Sequence, residues 1–229
     1  MASVERGWLF VHQGLTMKAA AGGVPAAVVV AREAAIWQDA RMSMALHQPM
    51  SLAEFLLWEE RQDLRWEFDG FEPVAMTGGT FAHEVIGGNI RAALNRLLGG
   101  TSCRAVGPTL KVEVAGRIRY PDAFVVCTPV APKANVVHDP VVVFEVLSES
   151  TARTDMVRKL GEYAETTSIQ RYVILQQDFI GGLNLTRQGD RFVAEPLAED
   201  SMLRMPELGI EVPVSDFYQG LVYEPPTDD

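Results

Sequence analysis

The chain has 229 residues, a net charge of −10, 48% hydrophobic residues and 22% charged ones. That length holds one domain with a full core plus appendages, and the composition is that of a soluble globular protein. The acidic balance excludes a tight, nonspecific nucleic-acid coat, which needs a basic footprint. It does not exclude an enzyme that gathers carboxylates around a cation. No apolar run reaches the roughly 20 residues that span a bilayer, so no membrane partner is expected; the stretch 19–31 after Lys18 is too short and contains glycines and a proline. Cys103 and Cys127 are far apart and form no Cys-x-x-Cys pair. They are expected to be free thiols in a reducing cytoplasm.

Residues 1–48 are rich in Ala and Val without a sustained period, and are expected to be a poorly ordered extension to a domain over 49–223. Ser51-Leu-Ala-Glu54 is a capping box ahead of Phe55, so a short helix starts there. Arg65 to Gly70 reads as a strand entering an Asp-Gly turn, and Phe71 to Met76 as its return. From His83 to Leu98 apolar residues recur at helical spacing, ended by Gly99-Gly100. Strands are expected over 102–106, 109–114 and 119–127, then a Pro-containing loop over 128–139. Val141 to Leu147 is a continuous apolar run, the mark of a strand buried on both faces. Ser148 to Thr151 offer cap residues for a helix over about 152–166. A buried strand over 170–175 and a hairpin over 181–193 follow, and an acidic, Pro-rich tail closes the chain over 224–229. The order implies an α/β domain, a central mixed sheet flanked by helices with extra β-hairpins.

Glu145 interrupts the apolar run 141–147. A lone buried carboxylate costs several kcal/mol unless it is paired or holds a metal. Asp122 begins a neighbouring apolar run behind Pro121. Two carboxylates on adjacent strands make an oxygen pocket suited to Mg²⁺. Asp155, Lys159 and Tyr163 fall at i, i+4 and i+8 on the following helix and share a face. The bland reading of Asp155 and Lys159 is a surface pair. The functional one is an ammonium reaching back to the carboxylates, where it can stabilise charge on a phosphate or orient water. Lysines are scarce here (Lys18, Lys111, Lys133, Lys159), which makes Lys159 more informative. Ser148 reads as a helix cap rather than a nucleophile, since no histidine is placed to serve it.

Tyr120-Pro121-Asp122, Glu145-Val146-Leu147-Ser148, Ser150-Thr151, Asp155, Lys159 and Tyr163, with Trp66 to Gly70 and the His83 helix upstream, together resemble the Uma2 family over about residues 50–220. That family is assigned to the PD-(D/E)XK, restriction-endonuclease-like superfamily. The resemblance implies a restriction-endonuclease-like core and an endonuclease that hydrolyses DNA phosphodiesters with Mg²⁺, or Mn²⁺ in its place. It implies Asp122, Glu145 and the backbone carbonyl of Val146 as metal ligands, with Lys159 assisting water attack. It also suggests Glu67 as an extra carboxylate facing the site, and a homodimer in which each copy cuts one strand. His83, after a Gly-rich loop, is a candidate proton acceptor or phosphate contact. The sequence departs from Glu-x-Lys at Leu147, and Lys159 resembles a migrated replacement. Two alternatives stay open: a non-catalytic module binding nucleic acid or protein on the same fold, and a phosphoesterase acting on a smaller substrate.

Overall fold

The computed structural model describes residues 49–76, 78–147 and 152–223, without the side chains of 152–155. The expected N-terminal extension, the cap segment 148–151 and the acidic tail lie outside the described residues. The capping box forms: the Ser51 backbone N–H donates to Glu54 Oε2 at 2.8 Å, and the Glu54 N–H to Ser51 Oγ at 3.3 Å. It opens α1 (Leu52–Glu59). Strands β1 (Trp66–Phe68) and β2 (Pro73–Ala75) pair antiparallel. Their turn is held by Asp69, whose Oδ1 accepts from the N–H groups of Phe71 and Glu72, the turn chemistry favoured by aspartate. Helix α2 (Phe81–Leu97) begins two residues before the expected start at His83, because Thr80 caps it by accepting the His83 N–H.

The expected strand over 119–127 divides in two. Strand β5 (Arg117–Arg119) pairs with β4 (Lys111–Val114) through a two-residue turn, and β6 (Ala123–Val126) belongs to another sheet. The turn residues Ala115 and Gly116 both have positive φ, +48° and +74°, as a type I′ hairpin requires. The break falls at Pro121, which has no N–H to continue a ladder. The chain therefore changes sheets immediately before Asp122.

Strand β3 (Arg104–Val106) edges the six-stranded sheet, and β7 (Val136–Val137) adds an unexpected strand within the loop over 128–139. Strand β8 (Pro140–Leu147) runs antiparallel to β6 and parallel to β9 (Arg171–Gln176), with α3 (Ala152–Glu165) between them in the chain. The hairpin β10 (Gly182–Gln188) and β11 (Arg191–Leu197) completes the order β11-β10-β9-β8-β6-β3. A five-stranded sheet has the order β2-β1-β5-β4-β7, and a third sheet has two strands.

Alternation along β8 explains the layers. Val142, Phe144 and Val146 pack with Ile86, Ile90 and Leu94 of α2, while Val143 and Leu147 pack with Tyr163 of α3 and with Tyr172 and Ile174. Each fully buried side chain of this size contributes about 1.5–3 kcal/mol. Sequence reading made no assignment for strands β12 (Met202–Met205) and β13 (Ile210–Pro213) or the 3₁₀ turn Val214–Tyr218. They place Leu203, Met205, Val212 and Phe217 against the α2 side. No helix among the described residues is long and apolar enough to cross a membrane.

The expectation of free thiols is overturned. Cys103 and Cys127 are joined in a disulfide. They extend β3 and β6 by one residue each, and the register Arg104 to Val126 brings them opposite one another. Their distance in sequence was no guide to their distance in space, and the argument from free thiols to a reducing compartment falls with it.

Candidate active site

The proline break delivers Asp122 to the head of β6, and the register of Ala123 with Phe144 brings it level with Glu145 on β8. Asp122 is fixed from two sides. Its Oδ2 accepts the Val146 N–H at 2.7 Å, and its Oδ1 lies 3.2 Å from His83 Nε2 on α2. Glu145 projects from the opposite face of β8 to Val146, toward α3. Its Oε1 accepts from Lys159 Nζ at 3.1 Å and from the Tyr163 hydroxyl at 2.9 Å. The helical spacing of Lys159 and Tyr163 thus converges on one carboxylate oxygen. Glu67, on β1, closes the cluster: its Oε1 accepts the Tyr120 N–H at 3.1 Å and lies 3.6 Å from Lys159 Nζ.

The electrostatics follow from this crowding. Burial pushes the Glu145 carboxyl up to about 7; Lys159 opposes the rise, while the charges of Asp122 and Glu67 add to it. Burial, with Glu145 alongside, also holds the Tyr163 hydroxyl well above its ordinary value, so it stays a donor. His83 is raised chiefly by its hydrogen bond to Asp122, against the effect of burial. Of the sequence-derived candidates, Asp122, Glu145, Val146, Lys159, Tyr163, Glu67 and His83 are brought together. Asp155 lies on α3, but its side chain is outside the described residues.

A family model described as "Uma2: Putative restriction endonuclease" matches residues 52–214. The chain belongs to the Uma2 family. This Uma2 chain is 29% identical over 191 residues to the uncharacterized protein slr1290 of Synechocystis sp., a match covering 79% of the chain and all of that protein. Its fold is similar to the crystal structure of "a putative nuclease belonging to DUF820" from Anabaena variabilis. That match has a TM-score of 0.62 and 16% identity, covering 74% of this chain and 98% of the other. The two share a mixed α/β fold, with a mixed sheet between helices.

Where the Glu-x-Lys pattern would put lysine, Leu147 stays in the core beside Tyr163 and Tyr172, while Lys159 reaches Glu145 from α3. Sequence reading missed the ion network behind the site. Arg119 is fully buried and donates to both Glu162 oxygens, Nε to Oε2 at 2.7 Å and Nη2 to Oε1 at 2.6 Å. Its Nη1 also lies 3.5 Å from Glu67 Oε2 and donates to the Phe68 carbonyl. This fork fastens α3 to β5, so that Lys159 and Tyr163 meet Glu145. In sequence, Arg117-Ile118-Arg119 looks like an ordinary half-exposed strand, and only the burial of Glu162 on the Lys159 helix would have hinted otherwise.

Proposed function

We propose that this Uma2 chain is a Mg²⁺-dependent endonuclease that hydrolyses phosphodiester bonds in DNA. The observation that carries this reading is the convergence of Asp122, Glu145 and Lys159, with Lys159 Nζ 3.1 Å from the Glu145 carboxylate and Asp122 bonded to the very next residue, Val146. The donor set suits Mg²⁺. Asp122, Glu145 and the Val146 carbonyl are hard oxygen donors, and Mg²⁺ prefers one or two carboxylates while keeping several waters. Among the described residues no group of three or more His, Cys, Asp or Glu is arranged to hold a metal, so the ion would rest on the two carboxylates, the Val146 carbonyl and water. The negative charge that raises Glu145 is what a divalent cation would offset. Mn²⁺ suits the same donors.

When bound, the cation supplies Lewis acidity that polarises the phosphoryl group and acidifies water. The chain's own residues do the rest. Asp122 is held for this task by the Val146 N–H, and Glu145 by Tyr163. Lys159 carries a charge that stabilises the anion developing at phosphorus and orients the attacking water. Glu67, held by Tyr120 and Arg119, helps to keep that ammonium in place. His83 steers Asp122.

The test is cleavage of plasmid DNA with Mg²⁺ or Mn²⁺. Asp122→Ala and Lys159→Ala are each expected to lower the rate at least about a hundredfold. Cleavage that survives both substitutions sinks the mechanism. A wild-type protein that binds DNA without cutting it, with any metal, assigns the chain to the binding-module alternative.

A further inference from the structure

One face of α2 brackets Asp122 at both ends. His83, Gly87 and Arg91 follow at intervals of four and share a stripe. His83 meets the Asp122 carboxylate, and two turns later Arg91 Nη1 donates to the Asp122 backbone carbonyl at 3.2 Å. The Arg91 side chain is 26% exposed, so its guanidinium is held by the site yet open to solvent. It is also held in position from behind. A Cβ on Gly107 would stand only 2.8 Å from Arg91 Cδ and 3.1 Å from Nε, so the loop between β3 and β4 packs its bare backbone against this side chain. The remaining partner is Glu84, whose Oε1 lies 3.5 Å from Arg91 Nη2 and whose side chain is 75% exposed. An exposed pair of that length is weak and screened by solvent. One N–H of the guanidinium is thus anchored to the protein, while the outer edge of the fork meets a loosely held carboxylate.

We propose that Arg91 is a phosphate contact of this site, and that Glu84 occupies the position of a nucleic-acid phosphate oxygen when substrate is absent. The inference rests on the nuclease reading and deepens it by naming a residue that touches the substrate backbone. A planar guanidinium matches phosphate geometry through paired N–H donors. With Lys159 turned inward to Glu145 and Glu67, Arg91 is a permanently charged group beside Asp122 that is partly open to solvent. It gives an acidic protein a local grip on a polyanion without a basic surface. Arrival of phosphate displaces Glu84, and the bond to the Asp122 carbonyl keeps the guanidinium aimed.

The experiment is titration of a fluorescein-labelled DNA duplex with Ca²⁺ in place of Mg²⁺, over a range of salt. Wild type, Glu84→Gln, Arg91→Met and the double variant are compared, with cleavage in Mn²⁺ run in parallel. Arg91→Met is expected to weaken binding about fivefold to tenfold at low salt and to reduce the salt slope by about one. Glu84→Gln is expected to tighten binding about twofold to threefold. That gain disappears in the Arg91→Met background, because it acts only through the freed guanidinium. A purely structural Arg91 would lower the melting temperature and leave the salt slope and the Glu84→Gln gain intact. Wild-type cleavage with an unchanged slope in Arg91→Met, or a Glu84→Gln gain that persists without Arg91, overturns the proposal and leaves the nuclease reading standing. Wild-type protein that neither binds nor cuts the duplex overturns both.

Discussion

Glu145 carries a cost that its neighbours in β8 do not. It lies among apolar side chains with its carboxyl raised to about 7 by burial and by the charges of Asp122 and Glu67, against the pull of Lys159. The sign of the consequence is fixed. The folded state binds the Glu145 proton more tightly than the unfolded chain, so the stability it contributes is present below about 4.5 and is lost as pH rises through about 7. Without metal, the wild-type melting temperature is therefore expected to fall between about pH 5 and pH 8 by more than that of Glu145→Gln, which has no proton to lose there. Thermal scans across that range check it, and a variant whose melting temperature falls as far as that of wild type contradicts it. The same substitution is expected to abolish cleavage, the trade-off typical of a site held at the expense of stability. This residue was legible in the sequence, because a charge within the apolar run 141–147 has few structural explanations. Lys159 was legible through helical spacing, the scarcity of lysines and the family resemblance together.

At the scale of elements, the seating of α3 decides whether Lys159 arrives. The Arg119–Glu162 fork ties its inner face to β5. Arg187 on β10 donates to the Tyr163, Ala164 and Thr166 carbonyls at its C-terminal end and to Ile169 beyond, satisfying groups a helix end leaves unpaired. Removing one partner of a buried ion pair leaves a charge without compensation and costs about 3–5 kcal/mol. Arg119→Met is expected to destabilise by that amount in urea titrations, and the paired change Arg119→Met with Glu162→Leu to recover much of it. No recovery in the double variant would mean the fork does more than neutralise itself. Little of this could be read beforehand. Arg119 and Glu162 meet across 43 residues, and the meeting depends on the chain changing sheets after β5. Helix α1 was readable from its capping box and α2 from its period. Strands β12 and β13 were not, because each is four residues long and flanked by charged or turn-forming neighbours. The cysteine pair was misread for the same reason as the fork, since a register had to be known first.

Among the described residues, the two larger of three sheets share one excursion of chain. It leaves the larger sheet after β3, builds β4 and β5 in the smaller one, and returns as β6 with Asp122 at its head. The Cys103–Cys127 disulfide, across 24 residues, fastens the exit to the return. Closing a loop of that length contributes about 3 kcal/mol in the chain-entropy view. Reduction is expected to lower the melting temperature on the order of 10 °C; an unchanged melting curve in dithiothreitol, with thiols confirmed by mass, contradicts that. The C-terminal clasp on α3 bears on timing as well. Ribosomes extend a chain at about 5–20 residues per second, and α3 cannot be clasped at that end until Arg187 has emerged. By then Asp122 and Glu145 have long been made. A nascent chain therefore carries Asp122 and Glu145 for a few seconds before the C-terminal end of α3 can be clasped.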